Sequence, residues 1–241
     1  MILNSTITVG DGTVYFVESR NPAAGESKSG RLNREVYTNQ TLVALDLGTG
    51  KKLWEKPVDF SGAKRMLYLA YGQNTLTVVG SSEKDYHVWA FDAPARTSPD
   101  EPPVVAGDTK LWEQHYPMVR DHHGGALQHP VIVGDTLYSE MRSFDLRTGK
   151  QLRTDLPERR GCGTMTAAMN SFFFRHHFHG MWDLKTDQRT QFEGIRSGCW
   201  ISMIPSGGLV LAPESSSGCS CTHSIQTSVA YVPRSPSPAA K

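Results

Sequence analysis

The chain has 241 residues, enough for one sizeable all-β domain or two ordinary ones. Its charges nearly cancel, 25 Lys and Arg against 24 Asp and Glu, which argues against a nucleic-acid or acidic-membrane partner. With 22 Gly, 14 Pro and no helix-period apolar stripe longer than about three turns, the composition points to a turn-dense, all-β chain.

In chain order, the first residues already read as a strand, Ile7 and Val9, turning at Asp11-Gly12 into Val14 and Phe16. They lack the basic start and apolar stretch of a signal peptide, and no apolar run in the chain approaches the ~18 residues of a membrane span. Next, Val43-Ala44-Leu45-Asp46 leads through Gly48-Thr49-Gly50 to Leu53-Trp54. Asp46 is expected to accept hydrogen bonds from the turn, Gly50 to supply a positive φ, and Leu53-Trp54 to start the returning strand.

The pattern recurs. Phe91-Asp92 and Lys110-Leu111-Trp112 keep its two ends around an insertion, and Phe144-Asp145 to Gly149-Lys150 repeats it. Trp182-Asp183 to Thr186-Asp187 is a fourth copy with Asp187 where Gly stood. The aspartates fall 46, 53 and 38 residues apart, and further hairpin signals lie at Gln73-Asn74, Gly134-Asp135, Asn170-Ser171 and Gly207-Gly208. A period near 40 to 50 with about four strands per unit is the signature of propeller blades.

The unit resembles the pyrroloquinoline-quinone-like repeat of β-propellers, whose closing Trp docks between blades. Residues 44–54 carry its motif in full, whereas Arg153 replaces the Trp in 143–153. The resemblance implies four-stranded antiparallel blades near 5–60, 61–118, 119–158, 159–195 and 196–232, followed by a disordered Pro/Ser tail over 233–241. Trp54 and Trp112, with Trp182, are then packing residues at blade interfaces. Propellers of this family close with about seven or eight blades. Four or five therefore imply an incomplete propeller, the C-terminal part of a longer one, completed by the remaining blades or by a second copy.

All four cysteines lie late, at Arg160-Gly161-Cys162-Gly163, Arg196-Ser197-Gly198-Cys199 and Gly218-Cys219-Ser220-Cys221. Cys162 and Cys199 stand one blade apart and are expected to meet. Structural disulfides, a four-thiolate zinc or iron site and buried thiols all remain open, and Arg160 and Arg196 would lower the pKa of accessible thiols. The three motifs resemble the closing blades of large bacterial quinone-repeat proteins, a resemblance that specifies no reaction. It would place Pro213, Glu214, Ser217 and Gly218 in the same patch. Arg159-Arg160 otherwise reads as a solvated turn.

Histidines form a second group. His122, His123 and His129 head the third blade, and His177 and His179, two apart on an expected strand, would share a face and could grip a metal with a third ligand. The competing reading is surface or inter-blade hydrogen bonding. Quinoproteins with this repeat stack their cofactor between a Trp and an adjacent-cysteine disulfide over calcium; this chain has no adjacent Cys pair and no recognisable calcium triad. The repeat therefore does not assign a quinone. Two functions stay open: an exported, periplasmic or extracellular scaffold binding a protein or glycan, or an enzyme. The enzyme would be a quinone-dependent dehydrogenase or a metal-assisted carbohydrate-active one, working at a Cys/His mouth that includes an acid such as Asp121 or Glu214.

Overall fold

A computed structural model describes residues 1–26, 33–95, 109–118, 129–199, 201–214, 221 and 225–233. The chain divides into two compact units, Met1–Leu156 and Pro157–Lys241. Every described sheet is an antiparallel meander, the blade of a β-propeller. Short 3-10 turns lie at Asn4–Thr6, Pro22–Gly25 and Arg34–Tyr37.

The first unit holds three four-stranded blades. Blade one runs β1 (Thr8–Gly10), β2 (Thr13–Ser19), β3 (Gln40–Asp46) and β4 (Lys52–Val58). Blade two runs β5 (Met66–Gly72), β6 (Thr75–Ser81), β7 (Asp85–Asp92) and β8 (Lys110–Pro117). Blade three is shorter: β9 (Val131–Val133), β10 (Thr136–Ser139), β11 (Arg142–Asp145) and β12 (Gln151–Arg153).

Alternation along blade two explains the stacking. Leu76, Val78, Trp89 and Phe91 pack with Tyr15, Val17, Leu42 and Ala44 of blade one. The intervening Val79, Val88 and Ala90 pack with Leu137 and Phe144 of blade three. Period-two side chains thus bury both faces of one sheet, and β6 is buried along its whole length. Each large apolar side chain so enclosed contributes about 1.5–3 kcal/mol.

The tight turns come from left-handed residues: Asp11-Gly12 (φ 45 and 72°), Gln73-Asn74 (46 and 57°) and Gly207-Gly208 (57 and 80°). The strands they join pair in the register of two-residue hairpins, Gly10 with Thr13 and Gly72 with Thr75. Between third and fourth strands the register slips by one residue in each blade of this unit. As a result Trp54 lies opposite Ala44, Trp112 opposite Ala90 and Arg153 opposite Ser143.

The second unit holds β13 (Thr166–Ala168), β14 (Ser171–His176), β15 (Phe178–Asp183) and β16 (Arg189–Phe192) in one blade. Its other sheet has three strands among the described residues, β17 (Ile204–Ser206), β18 (Leu209–Ala212) and β19 (Val229–Tyr231). Phe173, Met203 and Ala212 form a core between these sheets, flanked by Met181, Val210, Val229 and Tyr231. The β13–β14 turn falls at Met169-Asn170, one residue earlier than the sequence suggests, because Ala168 pairs with Ser171. His122, His123, Asp121, Ser217, Gly218, Cys219 and the tail from residue 234 lie outside the described residues.

Candidate functional site

The aspartates of the repeat serve their own turns. Asp46 Oδ1 accepts from the Thr49 amide and hydroxyl, both at 2.7 Å, and Gly50 follows at φ 68°. Asp145 Oδ1 accepts from the Arg147 and Thr148 amides and, at 2.7 Å, the Thr148 hydroxyl, with Gly149 at φ 69°. Asp183 Oδ1 accepts from the Lys185 and Thr186 amides. Thr148 hydrogen bonds hold the Asp145 carboxyl below its usual range, and backbone hydrogen bonds do the same for Asp183.

Two positions depart from this scheme for physical reasons. Residues 93–109 replace a short turn after Asp92, whose carboxylate instead pairs at 2.6 Å with Arg147 of blade three. Arg147 also donates to the Asn74 carbonyl and the Thr75 hydroxyl. Asp187 adopts φ 57°, the conformation of Gly50 and Gly149, and accepts the Trp182 indole N–H at 2.8 Å. Trp182 thus stands on a third strand within its own blade, unlike Trp54 and Trp112 on fourth strands. Trp112 reaches the next blade, donating to the Leu146 carbonyl at 3.0 Å, while Trp54 packs at the edge of the core shared by blades one and two.

Of the candidate histidines among the described residues, one lies in the first unit and two in the second. His129, in the first unit, lies against Tyr68 with ring centroids 5.0 Å apart, and burial lowers its pKa. His177 is no strand residue: it makes the tight turn between β14 and β15 at φ 66°, with His176 paired to Phe178. The expected shared face of His177 and His179 is therefore absent. His179 is fully buried on β15, with Nδ1 2.7 Å from the Tyr231 hydroxyl and Nε2 without a hydrogen-bond partner among the described residues. Burial, reinforced by Arg175, pushes its pKa down to about 4.

Three cysteines gather within the second unit. The segment before β13 runs beside the end of β14, where the Arg160 amide donates to Arg175 and the His177 amide to Arg160. Thr164 and Ser202 exchange hydrogen bonds, and the Thr166 hydroxyl donates to the Met203 carbonyl at 2.6 Å. These ties bring the approach to β13 against the approach to β17. Cys162 lies there close enough to Cys199 and Cys221 to interact with both electrostatically. All three are partly exposed and in no disulfide. Burial, then Cys199, raises the Cys162 pKa against the opposing effect of Arg175.

Three buried guanidiniums frame the thiols. Arg159, expected at a solvated turn, is 4 % exposed because it donates to the carbonyls of Gly161 and Gly163. Arg175 donates to the Cys162 and His177 carbonyls. Arg196 donates to the Cys221 carbonyl at 3.0 Å and approaches the Cys199 Sγ at 3.8 Å. Among the described residues no group of three His, Cys, Asp or Glu side chains is placed to hold a metal ion.

A second feature, in the first unit, has no counterpart in the sequence reading. An open cleft of about 600 Å³ is lined by Arg34, by Ser61, Lys64 and Arg65 before β5, and by Ser82 and Lys84 of the β6–β7 hairpin. Glu83 and Asp85 complete its wall. The side chains of Arg34, Lys64 and Lys84 have no ion-pair partner among the described residues. These cations come from three separate elements, so no local charge run announces them.

No family model matches the sequence, and no curated protein sequence does. Among solved structures, the chain is similar to BamB from Moraxella catarrhalis at 15% identity and a TM-score of 0.45, covering 83% of this chain and 51% of that one. It is also similar to a quinohemoprotein alcohol dehydrogenase from Pseudomonas putida HK5, at 11% identity and a TM-score of 0.46, covering 86% and 42%. For the exotype rhamnogalacturonan lyase YesX the values are 15% identity, a TM-score of 0.46, and coverage of 88% and 42%. The chain thus spans about half the length of that BamB and less of the two enzymes.

Proposed function

We propose that the chain is a binding module built of pyrroloquinoline-quinone-like propeller blades, working in the periplasm or outside the cell, and that it holds a segment of a partner protein. The observation that carries this reading is the cleft of Arg34, Lys64, Arg65 and Lys84. Guanidinium groups take carboxylates in a bidentate fork, and lysines add charge without fixed geometry. Glu83 and Asp85 in the same wall favour a ligand carrying both signs, as a peptide does, over a uniformly negative polyuronate. The repeat's own polar groups are committed to turns, as Asp46, Asp145 and Asp183 are, which suits a scaffold. Three thiols distant in sequence do not make the adjacent-cysteine disulfide that a quinone would stack on.

The test is titration of the purified chain with a fluorescent acidic peptide interspersed with lysines, beside a polyglutamate and a polygalacturonate oligomer. Lys64→Ala combined with Lys84→Ala is expected to weaken peptide binding at least tenfold without altering thermal stability, and added salt to weaken it further. Equal binding by the double variant, or preference for the polyuronate, would overturn the reading.

A further inference from the structure

We propose that Cys162 and Cys199 form a redox-active dithiol that thiol–disulfide exchange converts into a disulfide joining the two sheets of the Pro157–Lys241 unit. The segments carrying them are held together by the Thr164–Ser202 and Thr166–Met203 bonds, and the two thiols lie close enough to interact electrostatically. A disulfide needs the two sulfurs at ~2.05 Å, and these ties keep the two segments side by side for that bond to form. Both groups are partly exposed, so a reagent can reach them.

The roles differ. The first attack is assigned to Cys199, whose sulfur accepts a hydrogen bond from Arg196 Nη1 at 3.8 Å. Burial raises the pKa of Cys162, and Cys162 serves as the resolving thiol. The thiolate of Cys199 displaces one half of an external disulfide R–S–S–R, forming Cys199–S–S–R and releasing RS⁻. The Cys162 thiol gives up its proton and its sulfur attacks Cys199 Sγ, releasing the second RS⁻. Two protein thiols are thereby oxidised, the external disulfide is reduced, and both protons end on the two RSH formed. Cys221, near the pair, is not consumed.

The bond would close a loop from 162 to 199 that contains the whole β13–β16 blade, tying the approach to that blade to the approach to β17. In an oxidising compartment the blades are stapled; under reducing conditions the Thr–Ser ties act alone. The experiment is to poise the reduced chain in graded ratios of oxidised to reduced glutathione, quench by alkylation and map the peptides by mass spectrometry. A cross-link between the Cys162 and Cys199 peptides is expected, with loss of two thiols, in the natural chain and in Cys221→Ser alike. In Cys162→Ser, Cys199 is expected to be caught as its glutathione adduct, and oxidation of the natural chain to slow proteolysis of residues 157–233 several-fold. Pairing of Cys199 with Cys219 or Cys221, no cross-link at any ratio, or a bound metal ion that shields the thiols from alkylation would each overturn the proposal. The natural chain and Cys221→Ser keep the test decisive if another variant fails to fold.

Discussion

At position 149 two demands coincide that only glycine meets together. Its φ of 69° lies in the left-handed region, and a Cβ built there would come 2.6 to 2.9 Å from the Trp112 ring of the preceding blade. Gly149→Ala therefore combines a backbone penalty of roughly 1 kcal/mol with overpacking worth roughly 1–3 kcal/mol. Gly50 has the same φ but open space around its Cβ position, so Gly50→Ala is expected to show the backbone penalty alone. Denaturant titration of both variants checks the difference, and equal losses would show that Trp112 does not press on the turn. Asp187 explains how the fourth turn manages without glycine: a residue that tolerates the left-handed region adds a carboxylate for the Trp182 indole. The departure was visible in the sequence, whereas the use made of the carboxylate was not.

At the scale of the element, hairpins and clasps were legible because each is decided within six residues. Asp-Gly, Asn and Gly-Gly pairs need no distant partner to turn, and the Asp-x-x-Thr clasp closes on its own amides. His177 was misread for the complementary reason. Arg175 to His179 carries no Gly, Asn or Asp to mark a turn, so a left-handed histidine between two strands reads as uninterrupted strand. Arg147 likewise looks like a routine turn residue, yet it reaches blade two at Asp92, Asn74 and Thr75. Removing it cuts one half-exposed ion pair and two hydrogen bonds from the guanidinium to neutral acceptors, so Arg147→Ala is expected to cost about 1–2 kcal/mol. All three acceptors surround Nη1 alone, so Arg147→Lys, whose ammonium carries three donors on a differently shaped stem, should recover part of this. A double-mutant cycle with Asp92→Ala isolates the ionic share; a coupling energy near zero would leave only the hydrogen bonds.

For the molecule as a whole, the groups that matter most are those assembled from remote segments, which is why the cleft cations and the Arg175 and Tyr231 neighbours of His179 escaped the sequence. The same assembly gives the chain a predictable response to acid. Burial lowers the pKa of His87, His129, His176 and His179, the last to about 4. An unfolded histidine titrates near 6.5, so between that value and the folded pKa the unfolded chain binds more protons than the folded one. Stability from these groups is full above pH ~6.5 and drains as the pH falls, each proton taken up costing at most ~1.4 kcal/mol per pH unit. The depressed carboxylates Asp145 and Asp183 act lower: their contribution persists down to the unfolded value near 4 and is lost as pH falls through their folded pKa. The denaturation midpoint is therefore expected to be level from pH 9 to 7, to decline from 6.5 to 4, and to fall further below 4. His179→Gln, which keeps a polar group beside Tyr231 but cannot titrate, should make the middle segment shallower and leave the lowest one unchanged. A natural chain equally stable at pH 7 and pH 4.5 would show that water or a partner reaches Nε2 of His179, and that the histidine is not held neutral by its surroundings.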